Sequence, residues 1–376
     1  MGFLSRALWE PSARLTFHLV QLLLGPLVPE MVIQPAVLRI GTHRFTAIIS
    51  PECSGLEGVG LLLVFGVLWL WLFREESRFP QSLLLLPAGI VALFLLNAAR
   101  IAVLILIGHA GAREIAIGGF HSQAGWIAFN CVAFGFSIAA RRLPWFAVRP
   151  PEPVAFAESG ANPTAAYLVP FLMILAAGMI SRAASGNFEW LYSLRFFAAL
   201  GALWVFRKKY AEFHGKFGGW TFEWSAPVIG IAVFVLWVAL DGMTAPAGGA
   251  GRMPAALAAA APGMRAAWIS LRILAAVVTV PLAEELAFRG YLIRRFMAAN
   301  FEAVSLRALT WFSLLASSAI FGLLHGERWV AGTAAGVLYA LAVQRRGRLT
   351  DSVIAHATTN ALLAAYVIAF EKWHLW

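Results

Sequence analysis

The stretch PECSGLEGVGLLLVFGVLWLWLFREESR, residues 51–78, decides the fold class of this chain. Residues 55–73 form an apolar run, and charged residues close it within residues 74–78. A helix needs roughly 17–25 apolar residues to cross the hydrocarbon core of a bilayer. The stretch therefore predicts a membrane-spanning helix that ends at a charged membrane edge.

The rest of the chain repeats this pattern. Its 376 residues are 60% hydrophobic and 13% charged, and the mean hydropathy is +0.76. A shorter run at 15–28 is broken by Pro26 and Pro29. Further apolar runs lie at 81–107, 122–140, 165–182, 190–206, 225–241, 266–288, 308–326, 328–344 and 351–370. We predict an all-α polytopic membrane protein with about 10–11 transmembrane helices in two bundles.

The basic residues lie where membrane topology requires them. The net charge is +10, and basic clusters stand just past the ends of apolar runs, at 74–78, 141–142, 207–209, 294–295 and 345–348. This is the positive-inside pattern, which orients the spans and implies no nucleic-acid partner. The two cysteines form neither a disulfide framework nor a metal-type spacing. The lipid bilayer is thus the partner that the composition predicts.

A Pro-rich stretch divides the chain. Four prolines fall within residues 144–153, and the stretch is more polar than its flanks. Such a composition is typical of a linker. We predict a first transmembrane domain over residues 1–145, a cytoplasmic linker over 146–164 and a second transmembrane domain over 165–376.

Three chemistry-bearing residues of the first domain are predicted to lie at one membrane level. Short β-prone runs in residues 37–49 predict a small extracytoplasmic hairpin that leads to Cys53. The charged edge at 74–78 puts the start of its span, with Cys53, on the opposite face of the membrane. The next two spans bring Arg100 and His121 to that face as well.

This trio suits nucleophilic catalysis. The thiolate is the nucleophilic form of cysteine, and a cationic neighbour or a histidine favours it and moves protons. An arginine inside an apolar span costs about 2.5–3.5 kcal/mol to insert and usually faces a polar interior. Arg100 can therefore stabilise a thiolate or an oxyanion, and we expect Glu57, one turn into its span, to face it. The alternative is structural: Cys53 packs as a small apolar residue, Arg100 reaches the interface, and His121 caps its helix.

Three sequence segments carry these residues: PECSGLEG (51–58), NAARIAVL (97–104) and HSQAGWIAFN (121–130). Together they resemble the signatures of exosortases and archaeosortases, a family of polytopic membrane transpeptidases. The resemblance implies cleavage of a C-terminal sorting signal made of a Pro-Glu-containing motif, a transmembrane helix and a basic tail. The implied roles are Cys53 as the nucleophile, His121 as acid and base, Arg100 as the stabiliser of the thiolate or oxyanion, and Asn97 as the residue that orients Arg100.

The second domain places two glutamates within or at the edge of an apolar run, in VPLAEELAFRGYLIRRF (280–296). Glu285 and Arg289 are four residues apart, so they share a helix face and can pair. Glu284 points roughly 100° away from that face and has no such partner.

Two histidines and an amide lie on other spans of the same domain. His325 ends the run in FGLLHGERW, and HATTN puts His356 and Asn360 one helical turn apart. With Glu284 they suit hydrolysis of a peptide bond: Glu284 as the general base, His325 orienting the water, and His356 with Asn360 stabilising the oxyanion. A metal is an alternative, since Glu284, His325 and His356 could ligate Zn²⁺ with one open position. A third interpretation is an interfacial cluster in which Glu284 and Glu285 pair with nearby arginines and the histidines pack locally.

This half resembles the family of CAAX proteases and bacteriocin-processing intramembrane proteases. EELAFRG matches its Glu-Glu-x-x-x-Arg motif, FGLLH its Phe-x-x-x-His motif and HATTN its His-x-x-x-Asn motif. The resemblance implies that Glu284, His325, His356 and Asn360 are catalytic. It assigns Glu285 and Arg289 a supporting role.

An exosortase-like half followed by a CAAX-protease-like half is similar to the fusion family called exosortase E/protease. That resemblance implies a bifunctional, multi-pass enzyme of the bacterial inner membrane. Its substrates would be membrane-anchored proteins with a C-terminal sorting signal. Two alternatives stay open: only the second site is active and the first half docks substrates, or the chain is a non-catalytic transporter or assembly factor.

Overall fold

The computed structural model describes residues 3–50, 53, 55–148, 162–212, 223–244 and 252–376. The chain divides into two compact units, Met1–Val154 with Met179–Leu191 and Ala155–Gly178 with Tyr192–Trp376. Most of the predicted linker, residues 149–161, lies outside the described residues. The predicted domain boundaries therefore stay a prediction.

The first unit is helical apart from one small sheet. Its helices are α1 Phe3–Leu24, α2 Leu56–Leu72, α3 Gln81–His109 and α4 Arg113–Arg142. Its strands are β1 Val32–Gln34, β2 Arg39–Gly41 and β3 Thr46–Ile48. The helix predicted over the run 15–28 begins earlier and ends before Pro26, because a proline disfavours the helical conformation of the residue that precedes it.

The sheet is antiparallel, in the order β1-β2-β3, with Ile40 opposite Ala47. Thr42 and Phe45 close the β2–β3 turn through two backbone hydrogen bonds, of 2.8 and 3.2 Å. The hairpin predicted over residues 37–49 is confirmed, and β1 adds a strand that was not predicted.

The sheet packs on the end of α3. The Phe45 ring lies directly over Gly108, where any Cβ would collide with it. His109 Nδ1 lies 3.1 Å from Thr42 Oγ1, and Ile40 is fully buried in the core that α1 and α3 share. The chain that leads to Cys53 is therefore fixed beside the end of the helix that carries Arg100.

The second unit is built from helices. In chain order they are α5 Pro163–Ala183 (its last residues belong to the first unit), α6 Ser193–Val205, α7 Arg207–Glu212, α8 Ser225–Thr244, α9 Ala255–Ala258, α10 Pro262–Arg295, α11 Trp311–Leu323, α12 Trp329–Arg346 and α13 Leu349–Phe370. Phe288, Phe321 and Tyr339 bring α10, α11 and α12 together in one buried cluster.

Helix α10 widens twice into π-helical turns, at Ala275–Thr279 and Leu286–Leu292. Pro281 accounts for the first of them, because it has no N–H and its ring would clash with the carbonyl four residues earlier. Turns of this kind are frequent at functional sites. The second one carries Arg289.

The prediction of an all-α polytopic membrane protein is confirmed. Among the described residues, five helices are long and apolar enough to cross a membrane: α3, α4, α5, α10 and α13. Four shorter apolar helices of 10–17 residues accompany them, Leu56–Leu72, Trp190–Val205, Ser225–Asp241 and Trp311–Leu323.

Candidate functional sites

Cys53 lies between the sheet and α2. Its backbone N–H donates to the Ser50 carbonyl at 3.0 Å, and its own carbonyl accepts from Asn97 Nδ2 at 2.8 Å. Gly55, with a left-handed φ of 85°, precedes α2, and a Cβ there would lie 3.1 Å from Asn97 Nδ2. Asn97 thus orients the backbone of the cysteine, a contact that the sequence did not indicate.

Arg100 provides the positive charge of this site. It lies partly buried on α3 and interacts electrostatically with Cys53 and Glu57, and His121 interacts with it in turn. Gly125 makes room for the guanidinium, because a Cβ there would lie 2.8 Å from Nη1. The Nε atom of Arg100 is buried without a hydrogen-bond partner among the described residues.

Two cavities of about 380 Å³ each open beside these side chains. Cys53 and His121 line the first, and Asn97, Arg100 and His121 line the second. His121 borders both. The first unit therefore brings the predicted trio together, on three different elements.

The trio is joined by charge and not by hydrogen bonds. Within the part of the chain that the structure describes, no hydrogen bond links Cys53, Arg100 and His121 to one another. A guanidinium near a thiol favours the thiolate, and its field also favours an oxyanion at the same place. The arrangement can support attack by sulfur on a carbonyl.

Glu285 anchors the site of the second unit. It is fully buried, and its Oε1 accepts from Arg289 Nη1 at 3.0 Å and from His356 Nδ1 at 2.9 Å. Arg289, only 2% exposed, also donates from Nη2 to the Gly336 carbonyl at 3.0 Å. Its guanidinium carbon lies 4.4 Å from the centroid of the Phe321 ring. The predicted ion pair of Glu285 with Arg289 on one helix face forms. The hydrogen bond between Glu285 and His356 was not predicted.

The hydrogen bond between His356 and Glu285 fixes the tautomer of His356. The carboxylate of Glu285 only accepts, so Nδ1 carries a proton and Nε2 is left to face the cavity. That Nε2 lies 3.9 Å from Glu284 Oε2, a buried oxygen with no hydrogen-bond partner among the described residues. The imidazole also stacks on Tyr339, with centroids 4.8 Å apart and an interplanar angle of 19°. Glu284 and His356 thus present one oxygen and one nitrogen to a shared space.

His325 is oriented by its own helix. Its Nδ1 donates to the Phe321 carbonyl at 2.8 Å, which leaves Nε2 for other partners. Trp237 packs edge-on against the ring at 5.4 Å. Gly332 allows this position, because a Cβ there would lie 3.0 Å from His325 Nδ1.

Asn360 is oriented by the first π-helical turn of α10. Its Nδ2 donates to the Ala276 carbonyl at 2.7 Å. In the π register that carbonyl would bond to the N–H five residues later, but Pro281 has none. One N–H of the Asn360 amide bonds to the Ala276 carbonyl, and the second N–H is left for another acceptor.

All four predicted residues of this half line one cavity of about 230 Å³, together with Trp237 and Tyr339. Sequence reasoning missed both aromatic residues. An aromatic side chain on an apolar helix is ordinarily core packing, and nothing in the sequence distinguishes these two. Only the fold places them against the imidazoles.

A zinc ion held by Glu284, His325 and His356 would need their donor atoms close together. Among the described residues, no group of three or more His, Cys, Asp or Glu side chains is placed to hold a metal ion. The Nδ1 atoms of His325 and His356 are already engaged, so only their Nε2 atoms could bind a metal. The zinc alternative for Glu284, His325 and His356 stays a prediction.

The chain matches two family models, in the order in which the resemblances occur. Residues 3–138 match the transmembrane exosortase family, and residues 265–362 match the type II CAAX prenyl endopeptidase Rce1-like family. The first match contains Cys53, Arg100 and His121. The second contains Glu284, His325, His356 and Asn360.

The predicted succession of an exosortase-like and a CAAX-protease-like region in one chain is confirmed. No curated protein and no solved structure gives a significant match to the chain. With its apolar helices, the chain is a multi-pass membrane protein, and both matches support a peptidase or protein-sorting function in the membrane.

Proposed function

We propose that this chain, which joins an exosortase-like region to a CAAX-protease-like region, is a bifunctional membrane peptidase. Its first unit would be a cysteine transpeptidase and its second a glutamate- and histidine-dependent endopeptidase. The observation that carries the proposal is the pair formed by Glu284 and His356 at 3.9 Å. Glu285, itself paired with Arg289, holds His356 in place.

In the second unit, water activated by Glu284 attacks the peptide carbonyl. The free oxygen of Glu284 accepts a proton from the water, and the Nε2 atom of His325 accepts the other hydrogen bond and orients it. The second N–H of Asn360 donates to the oxyanion that develops on the carbonyl. The proton then passes from Glu284, directly or through His356 Nε2, to the leaving amine.

In the first unit, the Cys53 thiolate attacks the substrate carbonyl and forms a thioester. Arg100 stabilises the thiolate before attack and the oxyanion after it. His121 donates a proton to the leaving amine and takes one from the acceptor, which is water or an amine. The electrostatic interaction of Arg100 with Cys53 supports the role of Arg100.

The substrates are membrane-anchored proteins that end in a sorting signal, and the site of action is the bacterial inner membrane. The resemblance to exosortases supports the sorting signal, and the resemblance to the fusion family supports the membrane assignment. The test uses a tagged reporter with a Pro-Glu-containing motif, a transmembrane helix and a basic tail. It is co-expressed with the wild-type chain, with Cys53→Ala or with Glu284→Ala, and its processing is followed by gel shift.

We expect each variant to accumulate a different species, because each stops a different bond cleavage. If Cys53→Ala processes the reporter normally while Glu284→Ala stops cleavage, the transpeptidase role is wrong and the first unit only docks substrates. If neither change affects processing, the enzymatic proposal fails for this substrate class.

A second measurement separates direct water activation from metal catalysis. Protein purified without chelator is analysed for zinc, and wild type is compared with His325→Ala. Direct activation predicts less than one equivalent of zinc in both and activity that survives a chelator. Stoichiometric zinc that His325→Ala loses would establish the metal mechanism.

A further inference from the structure

The chain after α13 turns back toward the candidate hydrolytic site. Glu371, with a left-handed φ of 53°, ends the helix, and the Lys372 N–H closes the turn on the Val367 carbonyl at 3.2 Å. A single 3₁₀ turn, Trp373–Leu375, follows. Leu375 and Trp376 then line the same cavity as Glu284 and the two histidines. We call residues 373–376 the wall segment.

Three side chains fasten the wall segment. His374 Nε2 donates to Asp241 Oδ2 at 2.9 Å, and Arg328 Nε donates to Asp241 Oδ1 at 2.8 Å. Arg328 Nη2 also donates to the His374 carbonyl at 2.9 Å. Trp373 is 8% exposed and anchors the turn in the protein. Charge-assisted bonds of this kind are stronger than neutral ones, so the segment is held in one place.

The fastening residues belong to the elements that build the cavity. Asp241 lies one turn after Trp237 on α8, and Arg328 lies three residues after His325. His374 is adjacent to Leu375. A displacement of Asp241, Arg328 or His374 would therefore move a cavity-lining side chain. None of these three residues lines the cavity itself.

The cavity is small and mostly apolar away from its catalytic groups. Its volume of about 230 Å³ lies below the roughly 300–1,000 Å³ of ordinary ligand pockets. The polar lining residues are Glu284, His325, His356, Thr359 and Asn360, and the other ten are apolar or aromatic. Trp376 also lies under the guanidinium of Arg272, at 5.2 Å from its carbon to the ring centroid, which limits the freedom of the indole.

We infer that the wall segment sets the size of the substrate side chain accepted next to the scissile bond. This inference rests on the proposed hydrolytic function of the second unit. Trp376 and Leu375 are specificity-determining residues, and Asp241, Arg328 and His374 are positioning residues that act through them. The substrate class is a peptide with small apolar side chains at the cleaved bond.

The test measures kcat/KM of the full-length protein in detergent for peptides that differ at one position beside the cleaved bond, with Ala, Leu or Phe. We expect wild type to prefer Ala, and Trp376→Ala to raise the Phe/Ala ratio about tenfold, as changes of pocket size typically do. Asp241→Asn should raise the same ratio without altering a lining residue. Trp311→Ala and Glu302→Gln are matched controls, since both positions are exposed on the second unit, and they should leave the ratio unchanged.

An equal rise in kcat/KM for all peptides in Trp376→Ala would mean that the wall segment only limits access to the cavity. That result would overturn the inference. An unchanged ratio in both Trp376→Ala and Asp241→Asn would do the same. If no peptide is cleaved, the proposed function fails, but the effect of the wall segment on side-chain size can still be tested. Binding of the peptides to Glu284→Ala protein, measured by fluorescence anisotropy, must then show the shift in Phe/Ala preference when Trp376→Ala is added.

Discussion

The two candidate sites differ in how firmly their side chains are held. In the second unit three of the four proposed catalytic side chains are each oriented by another residue: His356 by Glu285, His325 by the Phe321 carbonyl and Asn360 by the Ala276 carbonyl. In the first unit the described residues provide one such side-chain bond, from Asn97 to the Cys53 backbone. Arg100 interacts electrostatically with Cys53 and with His121, and no hydrogen bond among the described residues joins these three side chains.

This difference matches the chemistry proposed for each site. A water molecule brings no binding energy of its own, so the groups that activate it must be placed before the substrate arrives. A cysteine nucleophile forms a covalent bond, and hydrogen bonds of the apo state often tighten only in the complex. The comparison indicates that substitutions of the residues that orient the reacting groups will disturb the second site more than the first.

The largest effect is expected from Cys53→Ala. Loss of the nucleophile removes the covalent step, so processing by the first unit should fall by at least about 10⁴-fold. Trapping of a substrate adduct that hydroxylamine cleaves at neutral pH checks this, because an oxygen ester resists hydroxylamine under those conditions and a thioester does not. Cys131→Ala is the matched control, since Cys131 is exposed, and it should form the adduct as wild type does. An adduct that persists in Cys53→Ala would exclude this cysteine as the nucleophile.

Glu284→Gln should be next in size. The amide cannot take a proton from water, so hydrolysis by the second unit should fall about 10³-fold, within the usual range for a general base. Single-turnover cleavage of a quenched fluorescent peptide measures it. Glu302→Gln makes the same chemical change at an exposed position and should retain the wild-type rate. Equal rates in the two variants would remove Glu284 from the mechanism.

Glu285→Gln tests the support behind that site. The neutral amide no longer fixes the His356 tautomer and leaves the Arg289 charge buried without its partner. We expect hydrolysis to fall about 10²-fold and the free energy of unfolding to fall by about 3–5 kcal/mol. Thermal unfolding and peptide cleavage are measured on the same preparations.

The double variant Glu285→Gln with Arg289→Met separates the two effects. Replacement of a whole buried ion pair by uncharged groups is often close to neutral for stability, so the unfolding temperature should recover. The cleavage rate should stay low, because the His356 proton is still not fixed. Recovery of both would mean that Glu285 supports only the fold.

The sequence was sufficient to predict the apolar helices and the polar residues that line the cavities. Apolar runs of membrane length, charged edges and spaced polar residues are local features, and they located Cys53, Arg100, His121 and Glu284. The Glu285–Arg289 pair could also be predicted, since both residues lie on one helix face. The predicted roles of these residues in catalysis stay predictions.

The contacts across elements could not be predicted. Glu285 and His356 are 71 residues apart and meet only because α10 and α13 pack together. The bond from Asn360 to Ala276 depends on a π-helical turn, which the periodicity of an apolar run does not reveal. The return of the chain after α13 toward the cavity follows from a left-handed Glu371, an uncommon conformation for a residue other than glycine.

The smallest effect is expected from Asn97→Ala. This variant removes the side-chain hydrogen bond that orients the Cys53 backbone in the first unit. The Asn97 amide holds the carbonyl of Cys53, so its loss loosens the backbone that carries the thiol without removing any reacting group. We expect the rate of adduct formation to fall about tenfold, close to the roughly 1.4 kcal/mol that such a factor represents and that one hydrogen bond can contribute. Asn130→Ala is the matched control, because Asn130 is exposed and, among the described residues, its amide bonds only to the Trp126 carbonyl of its own helix. A loss as large as that from Glu285→Gln would contradict the comparison, since it would mean that the first site depends on prior orientation as much as the second.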